Sequence, residues 1–182
     1  WAKRLDDLGL ERTAVTVCDE EANPISQDPS VRSQGVDTLK KTLDCCQALG
    51  AYALVGPLHS GLGVFSGKAP SEQEWEWGVE NLKKVSEHAG QCGVKLGIEF
   101  LNRFETYFLT CAADAAKFVK AIDHPSCCMM YDTFHAHIEE KNVAHAIRSC
   151  AEHLILVHTS ENDRSTPGSG SVNWEATFNT LR

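Results

Sequence analysis

Val94-Lys95-Leu96-Gly97-Ile98-Glu99 is a short apolar run that ends on a carboxylate. An apolar run closing on a metal-ligand side chain returns twice, in Cys128-Met129-Met130-Tyr131-Asp132 and in Leu154-Ile155-Leu156-Val157-His158. Short apolar runs separated by helical periodicity read as buried parallel strands. In a β/α barrel the chemistry gathers at the C-terminal ends of the strands. Glu99, Asp132 and His158 are therefore expected to converge in one mouth. Two carboxylates and an imidazole from three strands suit a divalent cation and leave positions open for a substrate.

Outward from these runs, strand-like and helix-like segments alternate. Ala14 to Cys18 is a β-branched run, followed by a polar loop containing Asn23-Pro24 and Asp28-Pro29. Val36, Leu39, Leu43 and Cys46, spaced by three and four, predict a helix. Tyr52 to Val55 is the next strand. Gly56 to Ala69 is a glycine-rich loop of the kind that covers a mouth. Ser71-Glu72-Gln73-Glu74 reads as a capping box, opening a long helix that turns Trp75, Val79, Leu82, Val85 and Cys92 inward and stops at Gly93. Further helices are expected over Ala112 to Ile122, over Val143 to Cys150, and through Trp174, Phe178 and Leu181.

Five strand-helix units in alternation imply a parallel sheet with helices outside. A dinucleotide-binding sheet would carry GxGxxG after an early strand; Gly61-Leu62-Gly63 has the wrong continuation and no helix directly behind it. The expectation is one α/β domain over residues 1–182, an incomplete (β/α)8 barrel with about five of its eight units. The 182 residues open on Trp1 and fall short of the roughly 250 of a complete barrel, so a fragment is expected.

A formal charge of −8 and no Lys/Arg cluster argue against a nucleic-acid surface. No apolar stretch approaches the roughly 18 residues of a membrane span. The eight cysteines sit inside strand and helix patterns without CxxC spacing, so they are read as reduced, buried and structural, which favours the cytoplasm.

A glutamate just past one strand, or a lone histidine, is ordinarily structural. Three metal-ligand side chains on three successive strand ends are harder to dismiss. His135 and His137 are one residue apart, which in extended chain places both on the same side. His135 is read as facing the substrate and His137 as structural or as a support behind a residue that does.

Glu99-Phe100-Leu101-Asn102-Arg103-Phe104-Glu105, Asp132-Thr133-Phe134-His135 and His158-Thr159-Ser160-Glu161-Asn162-Asp163-Arg164, with Pro167 to Trp174 behind them, resemble the sugar isomerase/epimerase superfamily of xylose isomerase-like barrels. The resemblance runs from about Val15 to Leu181 and is closest to the ketose 3-epimerase branch, which includes the D-tagatose and D-psicose (allulose) 3-epimerases. It implies that Glu99, Asp132 and His158 ligate one divalent ion, manganese most often, with magnesium or cobalt as substitutes. It implies that Glu99 is one of two catalytic carboxylates and that Glu105, His135 and Arg164 bind the oxygens near C1 to C3 of an open-chain ketose. The implied partner is that small sugar, within a homo-oligomer.

The chemistry is consistent with such residues. A hydrogen alpha to a ketone is weakly acidic, and a cation on the neighbouring oxygens stabilises the cis-enediolate left when it departs. Inverting a carbon requires a base on each face. The family's second glutamate belongs to a later strand, so the 182 residues alone are expected to be inactive. Competing readings are hydroxypyruvate isomerase, aldose-ketose isomerase or inosose dehydratase on the same scaffold, and a sugar-binding module without turnover. A multi-zinc endonuclease would want more histidines at strand ends and a basic face.

Overall fold

The computed structural model describes residues 1–182. Five strands, β1 (Thr13–Val15), β2 (Ala53–Gly56), β3 (Lys95–Glu99), β4 (Cys127–Asp132) and β5 (Leu154–His158), pair in parallel in the order β1-β2-β3-β4-β5. Each strand neighbours the next in sequence, as in a barrel wall. A doubly wound sheet would reverse its order. The helices are α1 (Ala2–Asp7), α2 (Pro29–Leu49), α3 (Glu72–Cys92), α4 (Ala112–Ile122), α5 (Thr133–Glu139), α6 (Val143–Cys150) and α7 (Trp174–Leu181).

Local signals set most helix ends. Asp28 caps α2 by accepting from the Ser30 N–H, with Pro29 in the first turn. The Ser71/Glu74 capping box opens α3, and Gly93, with φ of 69°, closes it. Such a cap contributes about 1 kcal/mol. Tertiary packing supplies the rest. The outward faces of the strands (Leu54, Leu96, Ile98, Met129, Tyr131) join Leu39 and Leu43 of α2, Leu82 and Val85 of α3, Phe118 of α4 and Ile147 of α6 in one core of 31 buried residues. Each such aliphatic or aromatic side chain contributes about 1.5–3 kcal/mol by leaving water. Phe118 is a hub, edge-on to Trp75 at 5.2 Å and to Phe108 at 5.6 Å.

The opposite face of the sheet is narrow. Ala53, Val55 and Met130 form a small cluster there with Ile155 and Leu156. Gly97 belongs to this face because a Cβ would meet Val55 Cγ1 at 2.7 Å. Strand side chains alternate with period two, so Glu99 shares the face of Gly97, and Asp132 that of Met130.

The β4–β5 ladder shifts register by one residue. Met129 pairs with Leu154 but Met130 pairs with Leu156, leaving Ile155 as an extra residue. A regular ladder would set Val157 opposite Asp132 and turn His158 to the other face. The bulge instead sets His158 opposite Asp132.

Several expectations need correction. The first strand is three residues long rather than reaching Cys18, which makes only an isolated bridge to Gly61. Val15 and Val17 are exposed, because β1 is an edge strand. Thr133 to Glu139 is helix, not extended chain, since the Asp132 carboxylate accepts from the Phe134 N–H at 2.7 Å and caps it. Two helical residues turn through about 200°, so His135 and His137 do not share a side. The loop after β2 divides: Pro57 to Gly61 is buried, and only the stretch beyond it is mostly open to solvent. All eight cysteines are free, but only Cys18, Cys46, Cys127 and Cys150 are buried, while Cys45 is exposed.

Candidate active site

Glu99 ends β3 and is 6% exposed. Burial, with the charges of Asp132 and Glu105 adding to it and Arg164 opposing, pushes its carboxyl up to about 8. Asp132 ends β4 and caps α5, so one oxygen is committed to the Phe134 N–H. Its other oxygen, Oδ2, lies 3.8 Å from His158 Nδ1. Ligand atoms of Glu99, Asp132 and His135 all lie within 4.8 Å of one another. His158 stands at the edge of this trio, reaching it through Asp132.

His135 is held from behind. Its Nδ1 accepts from the Asn102 backbone N–H at 3.0 Å and lies 2.9 Å from the Asn102 side-chain amide. Nδ1 is therefore the unprotonated nitrogen of a neutral ring, and Nε2 carries the hydrogen. That Nε2 lies 3.6 Å from Glu99 Oε1. Burial pushes the His135 pKa down, which keeps the ring neutral.

Asn102 also donates to Glu105 Oε1 at 2.9 Å, and the same oxygen accepts from Arg164 Nη2 at 2.9 Å. The guanidinium lies 4.0 Å from the Phe134 ring centroid. Arg164 has φ of 61°, a left-handed conformation uncommon for a residue with a Cβ. Thus Glu105, His135 and Arg164, which the sequence places far apart, form one connected frame around the strand ends.

The family described as xylose isomerase-like TIM barrel matches residues 1–182. The chain belongs to that family. Its five strands are the half-barrel portion of the fold. The chain is 34% identical over 180 residues to the L-ribulose 3-epimerase of Mesorhizobium japonicum, covering 99% of this chain and 60% of that protein. It is 34% identical over 155 residues to the D-psicose 3-epimerase of Ruminiclostridium cellulolyticum, covering 85% of this chain and 53% of that one. A solved L-ribulose 3-epimerase structure superposes with a TM-score of 0.95 at 34% identity, covering 99% of this chain and 60% of that chain. The chain thus spans between half and three-fifths of the length of these relatives.

In this xylose isomerase-like barrel two supporting residues escaped the sequence reading. Glu161 is fully buried and gathers the loop after β5, accepting from Gly168 N at 2.8 Å, Val172 N at 3.1 Å and the Trp174 indole at 2.6 Å. Burial alone would raise its pKa, but the Trp174 indole and the N–H groups of Val172, Gly168 and Asn162 hold it down at about 2. A Cβ on Gly170 would meet Glu161 Oε2 at 2.6 Å, so glycine there is a requirement of the loop. The glycines of this segment were the available signal.

His59 is the other. It is fully buried in the packed half of the loop after β2, with Nδ1 2.9 Å from Ser60 Oγ, and burial pushes its pKa down to about 3. Nothing in Leu58-His59-Ser60 distinguishes it from a surface loop, because its burial comes from Phe108 and other residues distant in sequence.

Proposed function

We propose that the protein is a metal-dependent ketose 3-epimerase acting on a free ketose, with Glu99 as one base. What carries the reading is the pairing of Glu99 with Asp132 at the strand ends, in a chain similar to epimerases of D-psicose and L-ribulose. The buried Glu99 beside the half-buried Asp132, with no full countercharge, forms a donor set that a divalent cation relieves, so the residues fit a metal. Glu99, Asp132 and His158 would hold it. His135 is a poorer ligand because its inward nitrogen carries the hydrogen. When bound, the cation supplies positive charge to neighbouring ketose oxygens and makes the C3 hydrogen more acidic. Manganese is our first choice, with magnesium or cobalt as substitutes.

The remaining roles belong to this chain's side chains. A Glu99 carboxylate oxygen takes the proton from C3 on its own face. His135 donates from Nε2 to a sugar oxygen, and Asn102 keeps that hydrogen in place. Arg164 offers its fork of donors to a hydroxyl, while Glu105 holds the fork and accepts from the sugar. The proton returned on the opposite face needs a second base. We further place the enzyme in the cytoplasm, in keeping with eight free cysteines, and expect a homo-oligomer.

The test is turnover. Full-length protein loaded with Mn2+ should interconvert a ketose such as D-psicose with its C3 epimer. Glu99→Gln should lower kcat by at least about 100-fold with the sugar still bound. Sugar binding without turnover in the unsubstituted enzyme, or full activity in Glu99→Gln, would sink the reading.

A further inference from the structure

A second cluster of ligand-type side chains lies on the helical layer. Cys92 ends α3 three residues before β3 begins at Lys95, so this cluster sits at the strands' N-terminal end, opposite the mouth. His88 and Cys92 are one turn apart and share a face of α3. Asp44 approaches them from α2. Its Oδ1 is 2.7 Å from His88 Nε2 and 3.7 Å from Cys92 Sγ, and the three ligand atoms all lie within 4.8 Å of one another.

We propose that Asp44, His88 and Cys92 form a second divalent-metal site, taking a thiophilic ion such as zinc and clamping α2 to α3. Ligands about 2.0–2.3 Å from a tetrahedral zinc stand roughly 3.3–3.7 Å from one another. The sulfur-to-oxygen separation already matches that edge. The nitrogen-to-oxygen separation opens by about half an ångström as the hydrogen bond gives way to coordination. Water completes the fourth position, and the Cys92 thiol proton leaves to solvent as the thiolate binds. Without a cation, burial and the Asp44 carboxylate raise the Cys92 pKa and keep the thiol protonated; a divalent charge between the two reverses that balance. Ligand softness would also sort the two sites. A sulfur, nitrogen and oxygen set selects zinc-like ions, whereas the mouth offers mainly carboxylate oxygen.

The discriminating experiment is a Co2+ titration of the purified, metal-stripped, reduced full-length protein, read by the near-ultraviolet thiolate-to-cobalt absorption. The mouth residues Glu99, Asp132, His135 and His158 include no thiol, so metal bound there gives no such band. The expected result is a band saturating at one equivalent and displaced by Zn2+. Cys92→Ser should abolish it. His88→Ala, which keeps every thiol, should weaken Co2+ binding at least about tenfold, since even outer partners of a metal site are worth that much. No band in the unsubstituted protein, or a band unchanged in both variants, overturns the proposal.

Discussion

Asp132 and His158 stand opposite each other across the β4–β5 ladder, with Oδ2 and Nδ1 3.8 Å apart, because one extra residue, Ile155, shifts the register below them. Side chains directly opposite in a ladder share a face, so this one-residue shift decides whether the imidazole joins the two carboxylates. The site thus depends on a local irregularity in the sheet as much as on the identity of its residues.

The ligand assignment makes the first prediction. His158→Ala should lower Mn2+ affinity at least about tenfold, the loss expected from even a supporting partner. Calorimetric titration of the metal-stripped protein measures it. Chelation should abolish epimerisation and lower the thermal midpoint, since an ion that binds only the folded state stabilises it. Unchanged Mn2+ affinity in His158→Ala would return the third ligand position to His135.

Asn102 acts through His135. Asn102→Ala removes the amide that holds Nδ1 and Glu105 Oε1 together but keeps the backbone N–H bond to the ring. The expected outcome is a kcat about tenfold lower with KM less affected, by analogy with other outer partners of site residues. Nitrogen NMR of the imidazole should show the Nε2–H tautomer retained, because the backbone N–H still donates to Nδ1. An unaltered kcat would remove the Asn102 side chain from the machinery.

Arg164→Lys keeps the charge but loses the planar fork and its stacking on Phe134. Stacking of this kind contributes about 0.5–1 kcal/mol at an exposed position, and the lost fork adds to it. KM for the ketose should rise about tenfold in steady-state assays. Near-normal KM would mean that the guanidinium does not touch the sugar.

Glu161 gives a pH prediction with a definite sign. Its carboxyl titrates at about 2 when folded, against an ordinary 4.5. Between those values the unfolded chain binds a proton that the folded chain does not, so stability falls as the solution is acidified. The contribution is complete above pH 4.5 and disappears towards pH 2. In Glu161→Gln the acid limb of thermal midpoint against pH should be shallower, with a lower midpoint at neutrality. Identical acid limbs in the two proteins would contradict the role given to this carboxylate.

Much of this was legible because the signals were local. The Ser71/Glu74 capping box and Gly93 marked the ends of α3, and apolar residues spaced by three and four placed α2. The strand ends at Glu99, Asp132 and His158 were visible because an apolar run stops where its chain leaves the core. The helix over Thr133 to Glu139 was not, since seven residues with two histidines carry little periodicity. Its start is fixed by a cap that is itself a candidate ligand.

The sequence by itself determined the alternation of strands and helices, the parallel order they favour, and which acids and imidazole stand at the strand ends. These follow from hydrophobic period and from caps within a few residues. Only the tertiary structure decided the β5 bulge that brings His158 to Asp132, the Asn102 bond that sets the His135 hydrogen, and the joining of Glu105 to Arg164, 59 residues away. Contacts between such distant segments depend on register and packing, which no short window of sequence encodes.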